Sequence, residues 1–203
     1  MTESSPAPLN PDAWERRYQE GTTHWDLGQP APALRALLES AAAPPAGTAI
    51  ALGAGRGHDA LLFAQRGFQV TAVDFAPSAM QILAQEAATL NLSLKLLERN
   101  IFDLVPEFTG QFNYVIEHTC FCAIDPALRP AYVQLVADLL APQGELLAVF
   151  FTHNRPGGPP FGVTKAELQQ LFAPYFDLLT LEPALVSVPS RQGEEHFGRF
   201  QRR

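Results

Sequence analysis

Between residues 48 and 151 short apolar runs alternate with stretches whose apolar positions recur at helical spacing. Thr48 to Leu52, Gln69 to Val73, Ser93 to Leu97, Asn113 to Ile116 and Glu145 to Phe151 are compact, apolar and bounded by turn residues, as strands are. Gly57 to Gln65 closes at Gly67, Pro77 to Leu90 opens on a first-turn proline, and Leu135, Val136, Leu139 and Leu140 follow Asp125 at helical spacing. This alternation predicts an α/β fold, a mostly parallel sheet covered by helices.

The flanks read differently. Residues 1 to 9 are rich in Ser, Pro and Ala and are expected to be disordered. Asn10-Pro11 supplies an N-cap and a first-turn proline for a helix through Tyr18, carrying Trp14. Gly21 to Gln29 has loop composition and holds Trp25. Pro30 to Ala43 repeats Leu34, Leu37 and Leu38 before Pro44-Pro45, so residues 10–43 are read as a helical lid on a single domain spanning 10–203. Beyond the core, residues 154 to 160 form a loop, Thr164 to Glu167 a capping box, and two closing strands are expected near Asp177 to Val188 and His196 to Gln201.

Composition narrows the possible partners. With 14 basic and 21 acidic side chains the net charge is −7, which disfavours nucleic acid or an anionic membrane as the main partner. The start of the chain lacks the features of a secretion signal, and a cytoplasmic monomer is expected. Cys120 and Cys122, two apart at an expected strand end, are read as reduced thiols sharing one face. No metal site is expected from two cysteines.

Candidate chemistry centres on residues 49 to 74. A strand runs into Gly53, Gly55 and Gly57, then a helix and a second strand ending in Asp74. Glycines allow a tight turn and close ligand approach, and a carboxylate about twenty residues on is where a ribose ligand belongs. A nicotinamide oxidoreductase is the rival enzyme, but its fingerprint wants glycine at position 58, which is His. A turn glycine of any α/β protein is the plainer alternative for the loop, and a helix N-cap the plainer one for Asp74.

Several motifs carry a family resemblance: Trp14-Glu15-Arg16-Arg17-Tyr18, Trp25-Asp26-Leu27-Gly28, Leu52 to Asp59, Glu117-His118-Thr119-Cys120-Phe121-Cys122-Ala123-Ile124-Asp125-Pro126, and Gly157-Gly158-Pro159-Pro160-Phe161. The chain resembles the thiopurine S-methyltransferase family nearly end to end, its thiol and halide methyltransferase branch above all. The resemblance implies a class I methyltransferase fold of seven strands, one reversed, with S-adenosylmethionine as methyl donor and S-adenosylhomocysteine as product. It places Trp14, Tyr18, Trp25, Gly53, Asp74, Asn100, Ile101 and His118 at the donor. Tyr18 stands where Trp is familiar, Asn100 where Asp is common, and His118 where plant relatives carry Tyr and thiopurine enzymes often Arg. Asp59 is the acidic residue the family usually retains, and orienting the glycine loop is the role it suggests.

In that reading the acceptor is a small soft nucleophile, a thiol first and a halide, thiopurine or tellurium or selenium oxyanion behind. The aromatic rings offer cation–π attraction to a sulfonium, or else simply pack a helix onto the core. His118 is the candidate catalytic base for a thiol, its alternative being a hydrogen-bonded strand-end residue at the cofactor. A non-catalytic donor-binding sensor is the remaining rival. Arg155 and Arg191 are expected at the surface, outside the site.

Overall fold

The computed structural model describes residues 10–203. The expected disorder of residues 1 to 9 lies outside the described residues. Helix α1 (Pro11–Gln19) and helix α2 (Pro32–Glu39) precede an alternating core of β1 (Thr48–Leu52), α3 (His58–Gln65), β2 (Gln69–Asp74), α4 (Pro77–Thr89), β3 (Lys95–Glu98) and β4 (Phe112–His118). Then come α5 (Arg129–Leu139), β5 (Leu140–Phe151), α6 (Lys165–Phe172), β6 (Phe176–Pro183) and β7 (Glu195–Arg202). The strands form one sheet in the order β3-β2-β1-β4-β5-β7-β6. Neighbours pair in parallel except for β7, which is antiparallel to both β5 and β6.

Strand residues alternate between two cores because successive side chains leave a strand on opposite faces. Ala49, Ala51, Val70, Ala72, Tyr114, Ile116, Leu147 and Val149 pack with residues of α2, α3 and α4. Ile50, Leu52, Val115, Leu146, Ala148 and Phe150 pack with residues of α5 and α6. On that second face Phe121, Phe150, Phe172, Phe176 and Phe200 form a chain of edge-to-face and tilted ring contacts. Such pairs contribute about 0.5–1.5 kcal/mol each beyond simple burial.

Three local departures from the sequence pattern have identifiable causes. Helix α2 spans Pro32–Glu39 rather than residues 30 to 43: the Ala31 amide goes to Asp59 Oδ1, and Ser40 turns extended while its hydroxyl donates to the Leu37 carbonyl. Strand β5 begins at Leu140 rather than Glu145, because α5 runs directly into it and Leu140 pairs with Phe112. The cysteines lie in the turn after β4, not on one strand face; Cys122 Sγ donates to the Thr119 carbonyl.

The turn before α3 fixes how that helix meets α4. Gly57 is left-handed (φ +79°), and a Cβ there would sit 2.1 Å from Leu83 Cδ1, a side chain with no exposed surface. Gly57→Ala therefore combines backbone strain with overpacking and is expected to lower stability by about 2–4 kcal/mol. Thermal unfolding should show a drop of about 5–15 °C; an unchanged midpoint would mean that α3 and α4 are not in this contact.

Candidate active site

The strand order reverses between β1 and β4, and the loops after these strands diverge there to leave a cleft at the carboxyl edge of the sheet, where open α/β folds bind ligands. Its walls are Gly53 to Asp59 from the glycine loop, His118 and Thr119 from the end of β4, and Tyr18, Trp25 to Leu27 and Gln29 from the N-terminal segment. It leaves about 50 Å³ for small molecules, room for a few waters. The N-terminal segment rests on the loop itself: the Tyr18 hydroxyl lies 2.9 Å from where a Cβ on Gly55 would be.

Asp74 organises the floor. It ends β2, is 8% exposed, and its Oδ2 accepts from the Gly55 amide and its Oδ1 from the Ala76 amide, both at 2.9 Å. Ala76, not Asp74, is the N-cap of α4. Burial pushes the Asp74 carboxyl up, against the pull of the Ala76, Gly55 and Phe75 amides. A carboxylate offers about four lone-pair sites, so acceptor capacity remains beside these amides.

The N-terminal segment is tied to the rest of the fold at three points. Glu15 accepts from the Ser78 amide and hydroxyl at the start of α4; burial pushes its carboxyl up, but these bonds and one from Gln19 hold it below the usual range. Asp26 Oδ1 accepts from the Gly28 amide and lies 3.0 Å from His58 Nε2, while Oδ2 stands 3.1 Å from Arg56 Nε, a charge contact without hydrogen-bond alignment. Trp25 is packed edge-on between Trp14, at 5.0 Å, and Tyr18, at 5.7 Å. Trp14 stands one ring back from the cleft, under the Arg17 guanidinium.

The third tie is Arg191, which the sequence placed at the surface. It is 8% exposed, and its guanidinium donates to the Trp25 carbonyl (2.6 Å) and to His118 Nε2 (3.1 Å), with Glu195 Oε1 at 3.4 Å. A guanidinium has no acceptor, so Nε2 of His118 carries the lone pair; Nδ1 then carries the hydrogen and donates to Asp59 Oδ2 at 2.8 Å. Asp59 thus orients His118 as well as the start of α2. In this arrangement the Nε2 lone pair is committed, and His118 is a bridge between a carboxylate and a cation. Arg155, by contrast, is exposed and paired with Glu194.

Of the remaining expected positions, Gly53 lines the cleft and Cys120 packs on it, its Sγ 2.8 Å from where a Gly53 Cβ would be. Burial pushes the Cys120 thiol well up and that of Cys122 up to about 12, so both stay protonated wall groups. Asn100 and Ile101 follow β3 on the same edge of the sheet, outside the closed cleft. Asn100 Oδ1 accepts from the Phe102 amide, which leaves the amide NH₂ to offer a ring nitrogen. Among the described residues no group of three His, Cys, Asp or Glu side chains is placed to hold a metal, and no helix is long and apolar enough to cross a membrane.

Comparison with known proteins gives this geometry a setting. The family described as thiopurine S-methyltransferase (TPMT) matches residues 9–201. "Probable thiol methyltransferase 2" of Arabidopsis thaliana is 31% identical over 193 residues, covering 93% of this chain and 84% of that protein. "Thiocyanate methyltransferase 1" of Brassica oleracea is 30% identical and covers 97% and 88%. The fold is shared with Burkholderia thailandensis 1,6-didemethyltoxoflavin-N1-methyltransferase, solved with 1,6-didemethyltoxoflavin and S-adenosylhomocysteine, at a TM-score of 0.76, 20% identity and coverage of 99% and 93%.

The Asp26–His58 tie has a defined pH window. The bond to Asp26 raises His58 above its ordinary 6.5; burial pushes Asp26 up, but the His58 and Gly28 bonds hold it below 3.8. The His58 contribution is therefore complete below pH 6.5 and lost as pH rises through its raised value, while that of Asp26 is lost only as pH falls through its lowered one. His58→Gln should lower unfolding stability by about 0.5–1 kcal/mol near pH 6 and by less as pH rises. A difference independent of pH in denaturant titrations would remove the ion pair.

Proposed function

We propose that this chain, which belongs to the thiopurine S-methyltransferase family, methylates small soft nucleophiles that reach the cleft as anions, thiolates first and hydrosulfide, thiocyanate or halide next. It is a methyltransferase dependent on S-adenosylmethionine, which supplies an already activated methyl group on a sulfonium. The observation that carries the choice of acceptor is Arg191, a guanidinium paired with Glu195 and bonded to His118, which itself lines the cleft. A nicotinamide role fits poorly, since position 58 is a histidine whose ring reaches across to Asp26.

The residues present fit that donor. Gly53 and Gly55 give a backbone free of side chains at the turn, Asp74 offers its spare lone pairs to the ribose, and Asn100 with Ile101 stands at the adenine end. Trp25 and Tyr18 present rings to the sulfonium, an attraction of about 0.5–2 kcal/mol, and close over it to exclude water. The product S-adenosylhomocysteine loses that charge, and with it the cation–π attraction.

Methyl transfer from sulfur is an in-line displacement, so the protein's part is alignment and electrostatics. With its lone pair on Arg191, His118 is not free to take a proton from a neutral thiol. Arg191 instead favours the thiolate over the thiol, whose ordinary pKa of about 8.5 leaves a few per cent ionised near neutrality. Hydrosulfide, thiocyanate and iodide need no base, and their reaction with a sulfonium neutralises both charges. No step calls for a metal, and a single chain supplies every group named.

The test is formation of S-adenosylhomocysteine with hydrosulfide, small organic thiols, thiocyanate, iodide, a thiopurine and tellurite. Turnover is expected with the soft anions, and Arg191→Met should lower kcat/KM for them by about 10- to 100-fold, or about 1.4–2.7 kcal/mol. Unchanged kcat/KM in that variant would remove the cation from the acceptor site. No product from any acceptor would remove the activity.

A further inference from the structure

Glu117 is a carboxylate that neither the donor nor the acceptor chemistry uses. It sits on β4 beside His118, is 1% exposed, and points into the face packed by α5. Its Oε1 accepts from the Phe121 amide at 2.9 Å and its Oε2 from the hydroxyl of Tyr132, which has no exposed surface. Burying a charge this deeply is expensive, and an amide or apolar residue would fill the space at lower cost.

What the carboxylate holds is the turn over residues 119 to 122. Thr119, a β-branched residue, is left-handed there (φ +64°), a conformation that persists only where neighbours enforce it. The turn is closed by Ala123 donating to the Cys120 carbonyl and by Cys122 Sγ on the Thr119 carbonyl. It is tied to the Gly158 to Phe161 loop by the Phe161 amide on the Cys122 carbonyl. On its cleft side Cys120 packs against Gly53, and Thr119 lines the cavity.

We propose that Glu117 is a positioning residue, its ionised carboxylate holding the 119–122 turn through the Phe121 amide and Tyr132 hydroxyl so that Thr119 and Cys120 form the donor-facing wall. Ionisation matters because the carboxylate accepts from the Phe121 amide and the Tyr132 hydroxyl through two charged oxygens, and protonation of either oxygen removes that charge assistance and weakens the hold on the turn. Facing Glu117 are Tyr132 from α5, Cys120 and Cys122 from the turn, and His118 on its own strand. Burial pushes the Glu117 carboxyl up to about 7, against the hydrogen bonds from Tyr132 and Phe121. A raised carboxylate weakens folding as pH rises through that value, whereas the wall it holds needs the charged form; fold and site pull in opposite directions.

This inference rests on the donor assignment above, and its test separates the two. Wild type, Glu117→Gln and Tyr132→Phe are titrated with S-adenosylhomocysteine in a calorimeter between about pH 6 and 8.5, and amide hydrogen exchange over residues 119 to 122 is followed without ligand. Wild-type affinity should fall at least fivefold on going from pH 8 to 6, with the protection factors of the turn amides, exchange measured against the intrinsic rate at each pH, falling in parallel. Glu117→Gln should bind at least fivefold more weakly at pH 8 with that acid limb lost, and Tyr132→Phe should move the limb to higher pH. The His58 tie strengthens toward low pH, so it cannot imitate this trend. Wild-type affinity and pH dependence in folded Glu117→Gln would overturn the proposal. If that variant does not fold, an unmoved limb in Tyr132→Phe does the same. Should no protein bind at any pH, the donor assignment fails instead, and pH-independent protection factors of the turn amides in wild type would overturn this proposal by themselves.

Discussion

Asp74 Oδ2 and the Gly55 amide, 2.9 Å apart in the interior, bind the glycine loop to the end of β2. With Oδ1 on the Ala76 amide, one side chain fixes two loops of the carboxyl edge and the start of α4. A buried carboxylate is tolerated because backbone amides face it, and its orientation follows from them. The glycine turn and the seat of Tyr18 upon it descend from that placement.

The cluster around Arg191 depends on a topological fact. Because β7 runs against its neighbours, the residues just before it return to the same edge as the loops that follow β1 and β4. That brings Arg191 and Glu195 from the end of the chain against His118 from its middle and Trp25 from its beginning. The guanidinium is bonded to the Trp25 carbonyl as well as to His118, so one side chain joins the N-terminal segment to the end of β4. Asp59 sets the hydrogen on His118, and thereby which group Arg191 meets.

The core of the fold was legible from residue pattern: β1 was read to the residue, Asn10 caps α1, and Thr164 and Glu167 form the expected capping box. Those features depend on neighbours within a few positions. Of the residues expected at one site, Gly53, Tyr18, Trp25 and His118 line one cleft, and Asp74 bonds to the Gly55 amide of its loop. Arg191 was missed because its pairing with Glu195 four residues on says nothing of a site, and its other partners, His118 and Trp25, lie 73 and 166 positions away and are brought near only by the reversal of β7. Glu117 was quoted only as part of a motif, since burial of a strand carboxylate depends on α5, which packs from elsewhere in the chain. For Arg191, a reversed final strand in an otherwise parallel sheet was the usable signal, directing attention to the basic residue just ahead of it.

The central claim is that Asp74 both closes the glycine loop and faces the sugar of an adenosyl donor. Calorimetric titration of wild type and Asp74→Asn with S-adenosylhomocysteine tests it most directly, with circular dichroism to confirm that both are folded. Wild type should bind one equivalent, and the variant should bind more weakly by about 1–3 kcal/mol, through lost charge-assisted hydrogen bonds. Equal affinities, or no heat from folded wild type, would contradict it.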